Sequence, residues 1–348
     1  MDKFTIGHVP DAAWDAYVGQ HPAGHHEQSS SFARNRESYR FRTARIGVSE
    51  KGHLVGGAQF IYRWVPFAGR FGTVPQGPLV DQHRTDVAEA LIHALRTQAR
   101  ELRIRRLRVV SYAEDDFWRP LLTHHGFAAG GYRWTTRETA LLRLDRSNED
   151  MLAAMKPKCR YWIRLAQRKG VRIVQGEEAD LDEFYVLKRS TANRQGFVTF
   201  PTQYFKDTWR TFSPHNKIKL FLAHYDGEPV AGILVTVIGN CAYYGWGGLS
   251  KQKQDVGANY LAHWEAIQWA RSVGCASYDF AGLDGDDGVS RFKRQWGGDI
   301  VDYPDPLDGY FGPLAKILEK ACKASWDDAR LRDLVGKLNY RLYGPMPH

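Results

Sequence analysis

Between Lys156 and Arg172 seven side chains are cationic and none is acidic: Lys156, Lys158, Arg160, Arg164, Arg168, Lys169 and Arg172. Such a block suits a polyanionic partner, nucleic acid ahead of an anionic membrane, although a merely solvated helix face carries the same pattern. Arg160, Arg164 and Arg168 recur every four residues, which places them in one stripe if the segment is helical. Other chemical signals are weaker. His25-His26 and His124-His125 are sequence neighbours, which rarely share one metal, so no metal site is expected. Asp284-Gly285-Asp286-Asp287-Gly288 has calcium-loop character but lacks the downstream glutamate. Tyr243-Tyr244-Gly245-Trp246-Gly247-Gly248 is glycine-rich without the lysine of a phosphate loop, and there is no Gly-x-Ser-x-Gly elbow.

The elements that must position these residues belong to a globular chain. Its 348 residues exceed one ordinary domain and suit two. With 43% hydrophobic, 13% aromatic and 25% charged residues it can build real cores, which excludes disordered, collagenous and coiled-coil classes. Lys plus Arg is 48 and Asp plus Glu is 39, a formal net of +9. No apolar run approaches the roughly 20 residues of a membrane span, and Met1–Ile6 shows no secretory h-region. The four cysteines, Cys159, Cys241, Cys275 and Cys322, have neither metal-ligand nor disulfide-framework spacing. A cytoplasmic protein without integral membrane association is the expectation.

One supersecondary pattern occurs twice. Gly52–Gly57 leads into an apolar strand, Ala58 to Val65; a second strand ends at Gly77-Pro78-Leu79-Val80; a helix carries Val87, Leu91, Leu95 and Leu102; and a β-rich run covers Leu107 to Ser111. Gly227–Gly232 leads into Ile233 to Ile238, a second strand ends at Gly247-Gly248-Leu249, a helix carries Tyr260, Trp264, Ile267 and Ala270, and Ser277 to Ala281 follows. The offsets, 175 from Gly57 to Gly232 and 171 from Gly77 to Gly248, indicate internal duplication. The expected class is α+β; the order of strands around a central helix resembles the acetyltransferase-like (GNAT-like) fold, occurring as two domains with a boundary near Asp145–Glu149.

Four motifs are more specific. They are Met155–Val171; Arg194-Gln195-Gly196-Phe197 followed by Phe200-Pro201-Thr202-Gln203-Tyr204-Phe205; Tyr278-Asp279-Phe280-Ala281-Gly282; and Phe292-Lys293-Arg294-Gln295-Trp296-Gly297-Gly298. Their order and spacing resemble the Fem family, aminoacyl-tRNA-dependent transferases that extend peptidoglycan stem peptides, from about Gln28 to Leu318. The resemblance implies one domain of 1–145 plus 315–348 on the acceptor side, and another of 146–314 on the tRNA side.

It also implies acyl transfer from charged tRNA to an amine. The aminoacyl ester is already activated, so no metal, ATP, cofactor or enzyme nucleophile is expected; the site supplies positioning, a cation for the oxyanion and a proton acceptor. Lys293 matches the family lysine at the aminoacyl end, and Phe292 the neighbouring aromatic that can stack on the terminal adenine. Tyr204 matches an acceptor-contacting tyrosine, Tyr244 a tyrosine on the central strand, and Asp279 is the candidate to take the proton or orient a tyrosine. The implied catalytic set is therefore Lys293, Asp279 and Tyr204, with Arg160, Arg164 and Arg168 on the tRNA backbone. Gln28–Arg36 resembles Gln-Ser-x-x-Trp-x-x-x-Lys and puts Arg36 at the acceptor's diphosphate, with Tyr204 and Tyr244 completing the acceptor side.

Two positions depart from the family. Where it has Arg-Pro-x-x-Tyr this chain has Phe200-Pro201-Thr202-Gln203-Tyr204, and where it has Gly-Glu-x-Asp this chain has Asp305-Pro306-Leu307-Asp308. The expectation is an altered acceptor, a small amine-bearing peptide or antibiotic intermediate ahead of a cell-wall precursor. Alternatives are a peptidoglycan bridge-forming transferase, an acyl-CoA-dependent N-acyltransferase and a non-catalytic RNA-binding protein. The acyl-CoA reading requires a pyrophosphate-binding helix start, for which Lys251–Gly257 is not glycine-rich enough.

Overall fold

The computed structural model describes residues 3–328 apart from 66–67, 82–83, 113–116, 131–135, 197, 252–253, 284, 286, 316, 319, 322–323 and 325–327. Phe197, Asp284, Asp286, Cys322 and most of the 315–348 tail, to which the sequence analysis assigned parts, lie outside the described residues. The chain divides into two units, one reaching Thr135 and resuming at Asp302, the other spanning Thr136–Val301.

The first unit contains β1 (Thr5–Gly7), α1 (Asp11–Gln20), α2 (Ser30–Glu37), β2 (Arg42–Glu50), β3 (His53–Val65), β4 (Gly69–Val74) and β5 (Leu79–Val80). These are followed by α3 (Thr85–Glu101), β6 (Ile104–Val109), α4 (Trp118–His124) and β7 (Ala128–Ala129). The second unit runs through β8 (Glu138–Arg143), α5 (Asn148–Ala154), α6 (Pro157–Arg168), β9 (Arg172–Gly176), α7 (Leu181–Gln195) and α8 (Thr202–Phe212). It continues with β10 (Ile218–Tyr225), β11 (Glu228–Ile238), β12 (Cys241–Leu249), α9 (Ala258–Ser272), β13 (Ser277–Leu283), α10 (Gly288–Lys293) and β14 (Asp299–Asp302); β15 (Leu307–Tyr310) belongs to the first unit.

The duplication is visible in the sheets. The first has the order β1-β2-β3-β4-β6-β15-β7, with β5 on β3; the second has β14-β8-β13-β12-β11-β10-β9. Read from opposite ends, the two orders correspond at seven strands, and in each sheet one parallel pair, β4/β6 or β12/β13, lies between antiparallel neighbours. The expected boundaries at 145 and 314 shift because the sheets exchange strands. β8 pairs with β13 in the second sheet and β15 with β6 in the first, so the division falls at 135/136 and 301/302. The first unit resumes at Asp302, so β15 belongs to it along with the chain that follows.

Each unit has its own core. Helix α3 presses Leu91 and Leu95 onto Val48, Phe60 and Leu107, and α9 presses Ala262 and Ile267 against Ile233, Val235 and Phe280. Helices cover both faces of β11: Ile233 and Val235 belong to the α9 side, while Gly232 meets Phe184 and Leu187 of α7. Both faces being buried explains why Val230–Ile238 is apolar apart from Thr236.

Candidate active site in the second unit

The two parallel pairs end differently. Beyond the β4/β6 ladder the backbones stay joined, Val110 N donating to Val74 O and Gly77 N to Val110 O, each at 3.0 Å. The β12/β13 ladder stops at Tyr243↔Asp279, although β12 runs on to Leu249 and β13 to Leu283. The strands part where β13 shifts register against β8, between Asp279 and Gly282, and where Ala281 adopts φ 56°. A non-glycine residue in the left-handed region is held there only by surrounding structure, and such strain concentrates at functional sites.

Lys293, Asp279 and Tyr244 gather at this opening. The Lys293 ammonium, on a side chain only 7% exposed, donates to Gly282 O at 2.7 Å and Ala281 O at 3.3 Å and lies 5.6 Å from the Tyr244 ring centre. Asp279 is buried. Its Oδ1 accepts from Thr139 Oγ1 and, at 2.7 Å, from Ala281 N, whereas Oδ2 has no hydrogen-bond partner. Burial pushes the Asp279 carboxyl up; the two hydrogen bonds and the charge of Lys293 pull it partly back. Saturation of Oδ1 leaves Oδ2 as the oxygen open to an incoming proton.

Behind the ammonium stands His263, whose Nδ1 faces Tyr278 Oη at 3.1 Å. Burial, with Lys293 as a second cause, lowers its pKa to about 3, so the imidazole is neutral. Its ring packs on Tyr244 (4.4 Å between centres), Phe292 (5.2 Å) and Phe280 (5.5 Å). Sequence reasoning missed His263; a histidine within an apolar helix was the available signal. Phe292 is half-buried among Tyr260, His263 and Trp296, so its ring has a packing role whether or not it also meets a base.

The Phe-Lys-x-x-x-Gly-Gly spacing has a steric basis. Asp287 caps α10 by accepting from Ser290 N at 2.6 Å, and after this short helix the chain must pass beneath α5 and β8. Gly297, at φ 77°, lies so close to α5 that a Cβ would stand 2.5 Å from Ala154 O, and one on Gly298 would stand 2.9 Å from Leu141 O. Gln295 O then accepts from Lys156 N at 2.9 Å, tying the lysine-bearing turn to the basic helix.

That basic segment is α6, which starts with Pro157 at its first turn and buries Cys159, Ile163 and Ala166. Arg164 and Arg168 are exposed, as the stripe requires. Arg160 departs from it: its Nη1 lies 3.0, 3.1 and 2.5 Å from the carbonyl oxygens of Leu152, Ala153 and Met155, and so caps the end of α5.

Tyr204 is likewise not with Lys293. It is buried, its ring 4.3 Å from Phe200 and 5.7 Å from Trp246. A β-bulge separates the two aromatic groups. Tyr244 lies opposite Val235 and Trp246 opposite Leu234, so Gly245 is the extra residue. Without the bulge Tyr244 and Trp246 would share a face; with it Tyr244 faces α9 and Trp246 faces α8. Tyr204 therefore belongs to the opposite face of the sheet from His263 and Lys293.

Arg36 belongs to the first unit. Only 6% exposed, its guanidinium lies 4.5 Å from the Phe32 ring centre, and Nε and Nη1 have no hydrogen-bond partner. Gln28, in the same motif, is structural: its amide bridges Gln59 and Pro75 across to β3. Asp308 forms a buried pair with Arg108, 2.8 Å at both contacts.

Two α+β units sharing one strand order, one of them parted around a lysine and a carboxylate, define a tandem acetyltransferase-like protein. Family comparisons agree: residues 157–294 match the acetyltransferase (GNAT) domain and residues 9–113 the FemAB family. The lipid II:glycine glycyltransferase of Staphylococcus epidermidis is 22% identical, covering 92% of this chain and 95% of the relative; that of Staphylococcus aureus is 21% identical, covering 90% and 94%. A crystal structure of FemX superposes with a TM-score of 0.84 at 20% identity, covering 90% of this chain and all of that one. A tandem GNAT protein from the clavulanic acid biosynthesis pathway gives 0.58 at 13% identity, covering 89% and 99%. The chain is thus similar to Fem-type proteins over about nine-tenths of its length.

Proposed function

We propose that the protein transfers an aminoacyl group from charged tRNA to an amine of a cell-wall precursor. The observation that carries this reading is a buried ammonium together with a buried, unpartnered carboxylate oxygen, electrostatically coupled, where β12 and β13 part. The acceptor amine attacks the ester carbonyl, a C–N bond forms, and the C–O bond to the ribose breaks. Lys293 stabilises the oxyanion. The acceptor attacks as a neutral amine; Asp279 Oδ2 takes the proton that its nitrogen sheds as the C–N bond forms and passes it to the ribose oxygen, which leaves as a hydroxyl. Arg164 and Arg168 hold the tRNA backbone, and Arg36 offers its open donors to the acceptor's diphosphate.

The acceptor is read differently from the sequence expectation. The relatives that match over nine-tenths of the chain are named lipid II:glycine glycyltransferases, which favours a cell-wall precursor over an antibiotic intermediate. At the first departure from the family pattern Phe200 packs on Tyr204; at the second, Pro306 replaces the glutamate, while Asp308, which matches the pattern's aspartate, is engaged by Arg108. The acyl-CoA alternative has little room at the start of α9, where α6 approaches so closely that a Cβ on Gly257 would stand 2.5 Å from Trp162 O.

The test is incubation with labelled aminoacyl-tRNA or acetyl-CoA and a panel containing lipid II, a UDP-linked muropeptide and simple peptides. Label transfer from tRNA to a muropeptide supports the reading. Transfer only from acetyl-CoA, or only to simple peptides, overturns it.

A further inference from the structure

The first unit holds a cleft of about 730 Å³ at the edge of its sheet, apart from Arg36. Strand β1 pairs with β2 only at Gly47–Ser49, and the chain then leaves towards α1. No strand covers the outer edge of β2 over Arg42–Ile46 among the described residues. The cleft lies along this uncovered edge, with α2 forming one wall through Ala33 and Glu37 and α3 the other through Ala94 and Glu101.

We propose that this cleft binds an extended, lysine-bearing peptide segment by strand addition to β2. Unpaired edge backbone is a template for another strand, and five residues at about 3.3 Å each span roughly 16 Å. The two walls suit the alternation of a strand. On the α3 side the peptide meets Ala44, Ile46 and Ala94; on the α2 side it meets Thr43 and Ala33. Thr43 Oγ1 is buried without a hydrogen-bond partner, a polar atom such a backbone can satisfy.

Charge selects the occupant. Arg45 is satisfied by Val9 O, Asp11 and Gln59, and Arg34 lies 3.8 Å from Asp11. Glu37 and Glu101, both exposed, form no ion pair among the described residues; because Arg34 and Arg45 share Asp11, the lining carries three carboxylates against two guanidinium groups, an excess of one negative charge with both glutamates free on the rim. Nucleic acid is disfavoured by the same charges.

The experiment uses the full chain with an amidated Lys-Val-Val-Lys-Val peptide carrying an N-terminal fluorophore, whose two lysines fall on opposite faces of a strand, followed by fluorescence anisotropy and amide hydrogen exchange. Binding should protect amides within Arg42–Ile46. The double variant Glu37→Lys/Glu101→Lys, altered only at exposed positions, should bind about fivefold or more weakly. A glutamate-for-lysine peptide should not bind. Absence of binding at millimolar peptide, binding without protection of Arg42–Ile46, unchanged affinity in the double variant, or displacement of the peptide by a short RNA would overturn the proposal.

Discussion

Lys293 Nζ donates to Gly282 O at 2.7 Å, which fixes the ammonium to the strand that carries Asp279. Their charges are coupled: Lys293 offsets part of the burial penalty that raises the Asp279 carboxyl. Altering either residue changes the working state of the other.

Lys293→Met keeps the stem and removes the charge. Single-turnover transfer from bound aminoacyl-tRNA should fall on the order of 100-fold or more, with little change in tRNA affinity. The acid limb of the remaining activity should also move to higher pH, because Asp279 loses the cation that favours its ionised form. Transfer at the wild-type rate would remove Lys293 from the chemistry.

Asp279 must be ionised to accept a proton, and burial raises its pKa. Activity should therefore decline on acidification at a pH above the usual carboxylate range. Asp279→Asn should lower the transfer rate by roughly 100- to 10,000-fold and abolish that acid limb. An unaltered pH–rate profile in the variant excludes Asp279 as the base.

His263 has a folded-state pKa of about 3 against 6.5 for a free histidine, so the unfolded chain binds more protons between those values. It makes stability decline as pH falls from about 6.5 towards 3. In denaturant melts, His263→Phe should show a shallower decline over this window than the wild type. Parallel curves would contradict the neutral buried assignment.

The arginine stripe should separate into two roles. Arg164→Glu/Arg168→Glu should weaken tRNA binding across different tRNAs and reduce its salt dependence while leaving stability unchanged. Arg160→Ala should instead cost about 1.5–3 kcal/mol of stability, the range for hydrogen bonds to a charged group. Equal tRNA affinity in the double variant and the wild type would make the exposed stripe a solvated face.

Arg36→Ala should reduce affinity for a UDP-linked muropeptide, measured by competition, without altering aminoacyl-tRNA binding. Equal muropeptide affinity would place the diphosphate elsewhere.

By itself the sequence determined the duplication, the α+β class and the basic helix, because these rest on local periodicity and on motif spacing along one chain. It also singled out Lys293, Asp279 and Tyr244, which the fold gathers at one opening. Only the tertiary structure decided where the units divide, since β8 and β15 are assigned by the strands they pair with, and pairing is non-local. The separation of Tyr204 from Lys293 depends on a single extra residue, Gly245, which reverses the side-chain alternation of β12. Arg160 and Arg164 occupy equivalent helical positions, yet only Arg160 meets the carbonyls at the end of α5. The open oxygen of Asp279 exists because Thr139, 140 residues away in sequence, and Ala281 N both donate to the other one. Which atoms remain unsatisfied after packing is a property of the folded environment, and spacing along the chain does not encode it.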